Sequence, residues 1–299
     1  MIQRFQLPVW VPLDLDATLG CGQTFRWKKV ADRWVGVVNR HPLSLRHDLQ
    51  NGVLEVEAEQ GVFLGKDLEE GVRFYLGLSD PLSTILESTK QFFSRNGFAT
   101  ALDLSGIFSE HKGLRILHQD PFEMLVEFLL STQTSIPALQ GKLEKMCSKF
   151  PENRCEFPRG TLYRFPTWEQ LSQLPESDFQ QLGFGYRSRW LTALLHSVHP
   201  RELVSVQALP FGEKLEYLLG FEGIGYKVAN CVLLFGFGEF SAFPVDVWIS
   251  RVLQEHWHIV GNPAELMECG QRLFGPYCGY AQQYLFHHFR NSRKGGKAS

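Results

Sequence analysis

Lys227 follows two glycines, Gly223 and Gly225, in the stretch FEGIGYKVANC (221–231), and Asp246 lies nineteen residues on, in SAFPVDVWISR. Glycines let a backbone approach a ligand closely, and backbone N–H groups at a helix start suit a phosphate. A helix N-terminus and burial both disfavour an ammonium, and a lysine able to shed its proton is a nucleophile. Cys231 falls one turn after Lys227 on the same helical face, so the two could line one pocket. Asp246 follows Pro244-Val245 and precedes VWISRVLQEHW, which suits an N-cap. The helix dipole keeps such a carboxylate anionic, and an anion near Lys227 could stabilise a developing positive charge. The plainer alternatives are a structural helix pair, a solvated or phosphate-touching lysine, and an aspartate that only caps.

The elements around these residues read clearly. EKLEYLLG (213–220) ends in a glycine, a natural helix stop. The next helix carries Val228, Cys231, Val232 and Phe235 at i, i+3, i+4 and i+7, a core-facing stripe. The segment 213–237 is thus helix, glycine turn, helix. Upstream, residues 1–65 read as strands, with WVGVV (34–38), LSLRH (43–47) and VLEVEAE (53–59) β-rich or alternating. Asn51-Gly52 fits a tight hairpin turn. DLEEGVRFYLGL and LSTILESTKQFFSR follow as helices. The strand signal fades from about residue 100. Beyond it GLRILHQDPFEMLVEFLLS, IPALQGKLEKMCSKF, WEQLSQLP and YRSRWLTALLHSV read as helical. The expected fold class is α+β, an amino-terminal antiparallel β-sheet domain followed by a mostly α-helical domain. The division falls at 1–105 and 106–290, and 291–299 forms a basic tail expected to be disordered.

Composition is that of a globular chain: 299 residues, 44% hydrophobic, 21% charged, with net charge -2. The charge argues mildly against a nucleic-acid binder, although local patches act independently of the sum. No apolar run of ~18 residues predicts a membrane span. The six cysteines (21, 147, 155, 231, 269 and 278) form no CxxC pair, which speaks against zinc ribbons and a cysteine-ligated iron–sulfur cluster. Without a secretory signal in MIQRFQLPVWVPLDLD, reduced thiols and an intracellular location are expected.

The pattern LLGFEGIGYKVANCVLLFGFGEFSAFPVDVW closely resembles the helix–hairpin–helix element of the DNA glycosylases that include endonuclease III. Within that superfamily the chain resembles the 8-oxoguanine DNA glycosylase/lyases. LDLDATLGCGQTFRW (13–27), HQDPFEMLVEFLLSTQTS (118–135) and FGPYCGYAQQYLF (274–286) each match a stretch of that family, so the similarity runs from about residue 7 to 290. The resemblance implies a TBP-like sheet domain, a helical glycosylase domain, and double-stranded DNA containing 8-oxoguanine as partner, bound by a monomer. It assigns Lys227 as the nucleophile on the sugar C1′ and Asp246 as the acidic residue. No organic cofactor is implied. A monovalent cation at the hairpin would be held by the carbonyls of Leu219, Phe221 and Ile224, and Gly223 and Gly225 would offer amides to a phosphate.

The resemblance also assigns a pocket. The Gly22 carbonyl would accept the N7–H found only on the oxidised guanine, Gln282 would read the Watson–Crick edge, and Phe286 would stack on the base opposite Cys231. From the residues alone, Gly20-Cys21-Gly22 is better read as a turn, Phe286 as core and Gln282 as a polar helix position. In GFGYRSRW (183–190), Tyr186 would push into the base stack and Arg187 would read the orphaned partner base. The alternative is a buried tyrosine beside two solvated arginines. Two departures matter. In STQTSIPAL, Gln133 matches the first asparagine of the family's loop, but Ala138 stands where an arginine reads the opposite cytosine. Trp248 replaces a histidine that touches phosphate. The weighed alternatives are a glycosylase for other damaged bases and a non-catalytic helix–hairpin–helix DNA-binding protein.

Overall fold

The computed structural model describes residues 1–95 and 102–295. Strands β1 (Ile2–Pro8), β2 (Trp27–Val30), β3 (Arg33–Val38), β4 (His41–Asp48) and β5 (Val53–Glu59) form an antiparallel sheet in the order β1-β5-β4-β3-β2. A short helix, α1 (Leu15–Gly20), intervenes between β1 and β2. Register places Leu7 opposite Leu54, Leu45 opposite Val56 and Leu43 opposite Ala58. One sheet face is therefore apolar, and α2 (Leu68–Tyr75) covers it, the Tyr75 hydroxyl accepting the Trp27 indole N–H at 2.7 Å. The β4–β5 connection spans residues 49–52, longer than the tight turn expected. The Asp48 carboxylate accepts the amides of Gln50 and Asn51, and Gly52 supplies the positive φ of +63°.

Helices α3 (Leu82–Arg95), α4 (Leu104–Glu110), α5 (Pro121–Ser131) and α6 (Ile136–Ser148) begin the second core. A two-stranded hairpin, β6 (Arg154–Phe157) with β7 (Gly160–Tyr163), follows where only helices were expected. Its eight residues are too short and too polar for hydrophobic periodicity to reveal them. Then come α7 (Trp168–Ser172), α8 (Glu176–Gln181), α9 (Arg187–Ser197), α10 (Pro200–Val206), α11 (Phe211–Leu219), α12 (Tyr226–Phe235), α13 (Val247–Trp257), α14 (Pro263–Phe274) and α15 (Cys278–Gly295). Helix α3, which precedes the expected 105/106 division, packs against α14 and α15. Helix α15 continues through Gly295, so the tail expected from 291 begins as helix; residues 296–299 lie outside the described residues.

The stretch GLRILHQ (113–119) is extended rather than helical. Pro121 lacks the N–H that a continuing helix needs and sits at the first turn, while Asp120 caps it by accepting the Glu123 amide at 2.8 Å. The extended segment threads between the two cores. Leu114, Ile116 and Leu117 are buried, and so is Arg115, whose Nε donates to the Pro12 carbonyl at 2.8 Å. Gln23, fully buried, is clasped by the same segment. Its Nε2 donates to the Arg115 carbonyl at 2.8 Å, its Oε1 accepts the Leu117 amide at 2.9 Å, and its own carbonyl accepts Gln119 Nε2 at 2.8 Å. Buried polar groups satisfied this completely fix one arrangement.

Candidate active site

Helices α11 and α12 are joined by a turn that ends with Gly225 as the N-cap of α12. Gly223 adopts φ +86°, and a Cβ there would lie 2.4 Å from the Trp190 ring, so only glycine lets the turn rest on α9. Gly225 is extended, exposed and clear of neighbours; its φ of -99° does not demand glycine. Glu222 in the same turn pairs with Arg189 on α9 at 3.0 Å. Within the hairpin, the Phe221 carbonyl accepts the Ile224 amide at 3.2 Å, which leaves it one lone pair. The Leu219 and Ile224 carbonyls flank it in sequence.

Lys227 stands in the first turn of α12, half-buried. Its Nζ donates to Ser131 Oγ at 3.4 Å and lies 5.1 Å from the centre of the Phe128 ring. Helix α12 is buried from Val228 through Phe235, on all sides rather than along the one stripe expected. Cys231 is buried one turn after Lys227. Burial pushes its thiol up to about 11, the Asp246 charge pushes it the same way, and the charge and hydrogen bond of Lys227 oppose them. Cys231 thus senses both the amine and the carboxylate.

Asp246 is the N-cap of α13. Its Oδ1 accepts the amides of Trp248 at 3.0 Å and Ile249 at 2.9 Å. The helix start favours the anionic form of this carboxyl, as expected, but it is outweighed by burial in setting the direction of the shift. Burial is the largest influence and pushes the carboxyl above its usual range, against the two amides and the charge of Lys227. Asn230, fully buried in α12, places the segment before Asp246: its Oδ1 accepts the Phe243 amide at 3.0 Å, while its Nδ2 donates to the Tyr226 carbonyl at 2.8 Å. Sequence reasoning missed Asn230, Ser131 and Phe128. A lone amide inside the apolar run VANCVLLF was the available signal for the first; nothing local marks the other two.

Gly22 has φ +90°, and a Cβ there would lie 2.9 Å from Ile136 Cδ1, 3.5 Å from Arg290 Nη1 and 3.8 Å from Phe286 Cε1. The α1 turn and α15 therefore face one another, with Gly22 against Phe286. Arg290, also missed, lies with its guanidinium carbon 5.6 Å from the Phe286 ring centre. Gln282 is buried on the same helix, and its Oε1 has no hydrogen-bond partner among the described residues. An orphaned acceptor in a native interior calls for an explanation, and a ligand donor supplies one.

The loop between α5 and α6 approaches the start of α9. Gln133, exposed and at φ +49°, accepts the Tyr186 hydroxyl at 3.2 Å. Tyr186 is 49% exposed rather than buried, and its ring meets Trp190 edge-on at 4.8 Å. Arg187 is buried, not solvated: Nε donates to the Thr132 carbonyl at 2.6 Å, Nη1 to the Phe184 carbonyl at 3.2 Å, and its guanidinium lies 4.5 Å from the Tyr186 ring centre. Tyr186 is thus an exposed aromatic braced from beneath. Trp248 is half-buried in the first turn of α13, 5.8 Å from the Arg251 guanidinium.

A helix–hairpin–helix carrying a lysine amine, with a buried thiol one turn on and a capping carboxylate that acts on both, is the arrangement that the resemblance to the helical DNA glycosylases implies. The chain belongs to the HhH-GPD superfamily of base excision DNA repair proteins, whose family model matches residues 126–276. Residues 7–125 match the N-terminal domain of 8-oxoguanine DNA glycosylase. The chain is 26% identical to the N-glycosylase/DNA lyase OGG1 of Arabidopsis thaliana, over 95% of this chain and 81% of that protein. It is 27% identical to a probable N-glycosylase/DNA lyase of Methanothermobacter thermautotrophicus, covering 93% and 94%. The Clostridium acetobutylicum 8-oxoguanine glycosylase/lyase, solved with double-stranded DNA containing cytosine opposite 8-oxoG, superposes with a TM-score of 0.84 at 26% identity over 98% of both chains.

Proposed function

We propose that this chain excises 8-oxoguanine from double-stranded DNA and then cleaves the strand as an abasic-site lyase. The observation that carries this reading is the grouping of Lys227, Cys231 and Asp246, with Gly22 and Phe286 facing each other on the elements beside it.

A base must leave the helical stack before its sugar can be attacked. Tyr186, exposed and braced by Arg187, would fill the vacated stack, where base–aromatic stacking contributes about 1–3 kcal/mol. The flipped base would enter between Cys231 and Phe286, with its N7–H toward the Gly22 carbonyl and its Watson–Crick edge toward Gln282. The Lys227 amine, deprotonated, attacks C1′. The C1′–N9 bond breaks, and its electron pair leaves with the base, which takes up a proton. Loss of the amine proton and opening of the C1′–O4′ bond give the imine. Abstraction of a C2′ proton then expels the 3′ phosphate by β-elimination. Asp246 stabilises the positive charge that develops on the sugar. Each step uses atoms of the chain, the nucleotide or water, so no organic cofactor enters.

The carbonyls of Leu219, Phe221 and Ile224 would hold a monovalent cation, and the amides of Gly223 and Gly225 a phosphate. One chain carries every residue named, which supports action as a monomer. Among the described residues no helix is long and apolar enough to cross a membrane; we place the enzyme with the cell's DNA.

Borohydride reduction during turnover tests the reading. The wild-type chain should become covalently trapped on a duplex containing 8-oxoguanine, whereas Lys227→Gln should bind that duplex without trapping and lose at least ~10³-fold in excision rate. Trapping on other lesions but not on 8-oxoguanine would move the specificity elsewhere, and binding without any trapping would reduce the protein to a DNA-binding module.

A further inference from the structure

We propose that Glu110, His111 and His288 form a binding site for one late first-row divalent cation, with Zn²⁺ as its representative, which ties α4 to the pocket helix α15. His111 ends α4 as its C-cap, and His288 lies on α15. Their ring nitrogens, Nε2 and Nδ1, stand 3.2 Å apart. Glu110 Oε2 is 3.1 Å from His288 Nδ1, and Glu110 Oε1 is 3.8 Å from His111 Nε2.

These separations suit a shared ion. Zn–N bonds of about 2.0–2.1 Å at tetrahedral angles put neighbouring ligand atoms about 3.4 Å apart, and an octahedral site puts them about 2.9 Å apart. Two edges, 3.1 and 3.2 Å, fall inside that interval, and the third, 3.8 Å, closes into it when the exposed Glu110 side chain turns toward His111. Hydrogen bonding alone satisfies the cluster poorly, because a ring nitrogen either carries a proton or offers a lone pair. If His288 Nδ1 donates to Glu110, its single proton also faces His111 Nε2, so two acceptors compete for one hydrogen. A cation at their centre uses all three lone pairs together. Two imidazoles with one carboxylate favour zinc, nickel, copper or iron over magnesium or calcium.

The frame is already set. The Phe108 ring of α4 meets the Tyr284 ring of α15 edge-on at 5.0 Å, and the His287 ring meets His111 edge-on at 4.8 Å. The Glu110 side chain is 59% exposed while those of His111 and His288 are 13% and 23% exposed, so an ion enters from the Glu110 side and water completes its coordination. Helix α15 also carries Gln282 and Phe286, so an ion here anchors the helix that lines the base pocket.

The test uses the full, tag-free chain after dialysis against a chelator. Calorimetric titration with Zn²⁺ should give one saturable site per chain, and Co²⁺ should produce visible d–d absorption. Zn²⁺ should raise the melting temperature by mass action. His111→Gln and His288→Gln should each weaken binding by at least ~10-fold and abolish that rise. Cys269→Ser, which removes the one cysteine that is not fully buried, should bind as the wild type does. In the unmutated chain, Zn²⁺ should shift the imidazole resonances of His111 and His288, a readout that needs no variant to fold. No saturable binding, binding unchanged in both histidine variants, or loss of binding in Cys269→Ser would each overturn the site.

Discussion

The amide of Phe243 donates to Asn230 Oδ1 across 3.0 Å, so the helix bearing Lys227 holds the segment that delivers Asp246. Asn230 is fully buried in α12. The spacing of amine and carboxylate is therefore set from behind, by a residue that touches neither substrate nor DNA in the proposed reaction.

Asp246 has two separable duties. Asparagine accepts the Trp248 and Ile249 amides about as well as aspartate does, so Asp246→Asn should keep stability within ~0.5 kcal/mol, whereas Asp246→Ala should lose about 1 kcal/mol. Both should slow single-turnover excision by at least ~10²-fold. The reaction needs the carboxylate, which exists above its pKa, and burial lifts that pKa from the ordinary 3.8. Wild-type excision should thus fall with decreasing pH through a limb displaced upward from that value, and Asp246→Asn should lack the limb. A limb of the same position in both proteins would remove Asp246 from the chemistry.

Gly22→Ala tests the pocket wall. The new Cβ would meet Ile136 at 2.9 Å in a backbone of φ +90°. That conformation costs a residue with a Cβ roughly 1–2 kcal/mol. Urea melts should show a loss of that order, and excision of 8-oxoguanine should drop at least ~10-fold while Lys227 still traps on a preformed abasic site. An equal loss on both substrates would place Gly22 outside base recognition.

Glu127 of α5 is fully buried, and neither carboxyl oxygen has a hydrogen-bond partner among the described residues. Burial first, then the charge of Glu123, pushes its carboxyl well above the usual range, and Arg26 only partly offsets this. Above the ordinary carboxylate value the unfolded chain releases the Glu127 proton while the native chain keeps it. Stability therefore falls as pH rises through that interval. Glu127→Met should raise stability by about 1–3 kcal/mol at pH 8, and the gain should shrink toward pH 5. Denaturant melts at both pH values measure it; a gain that grows on acidification would contradict the sign.

Ala138 is exposed in the first turn of α6, at the position where the family resemblance implies an arginine that would read the opposite cytosine. One bidentate base contact supplies ~1–3 kcal/mol of discrimination. Excision rates opposite C, A, G and T should spread less than in relatives keeping that arginine, and Ala138→Arg should widen the preference for C by ~10-fold. A strict preference for C in the unmodified chain would show that other residues read the partner.

Much of this architecture is legible in the sequence because it rests on strong local signals. Gly220 ends α11, Asp246 starts α13, and alternation marks β4 and β5. What escaped rests on tertiary context. The extended 113–119 segment is as apolar as a helix and is told from one chiefly by Pro121. The β6–β7 hairpin is too short to show a period. Burial of Arg187 and the upward shift of Asp246 come from groups far away in sequence, which no window along the chain contains.

The clasp between Gln23 and residues 115–119 bears on how divisible this molecule is. Cutting after residue 105, inside α4, would leave Arg115 without Pro12 and the 115–119 backbone without its glutamine. The same cut would separate Gly22 from Phe286. The two architectures are thus not interchangeable modules: a chimera borrowing either half from a relative must carry over the matching half of that seam.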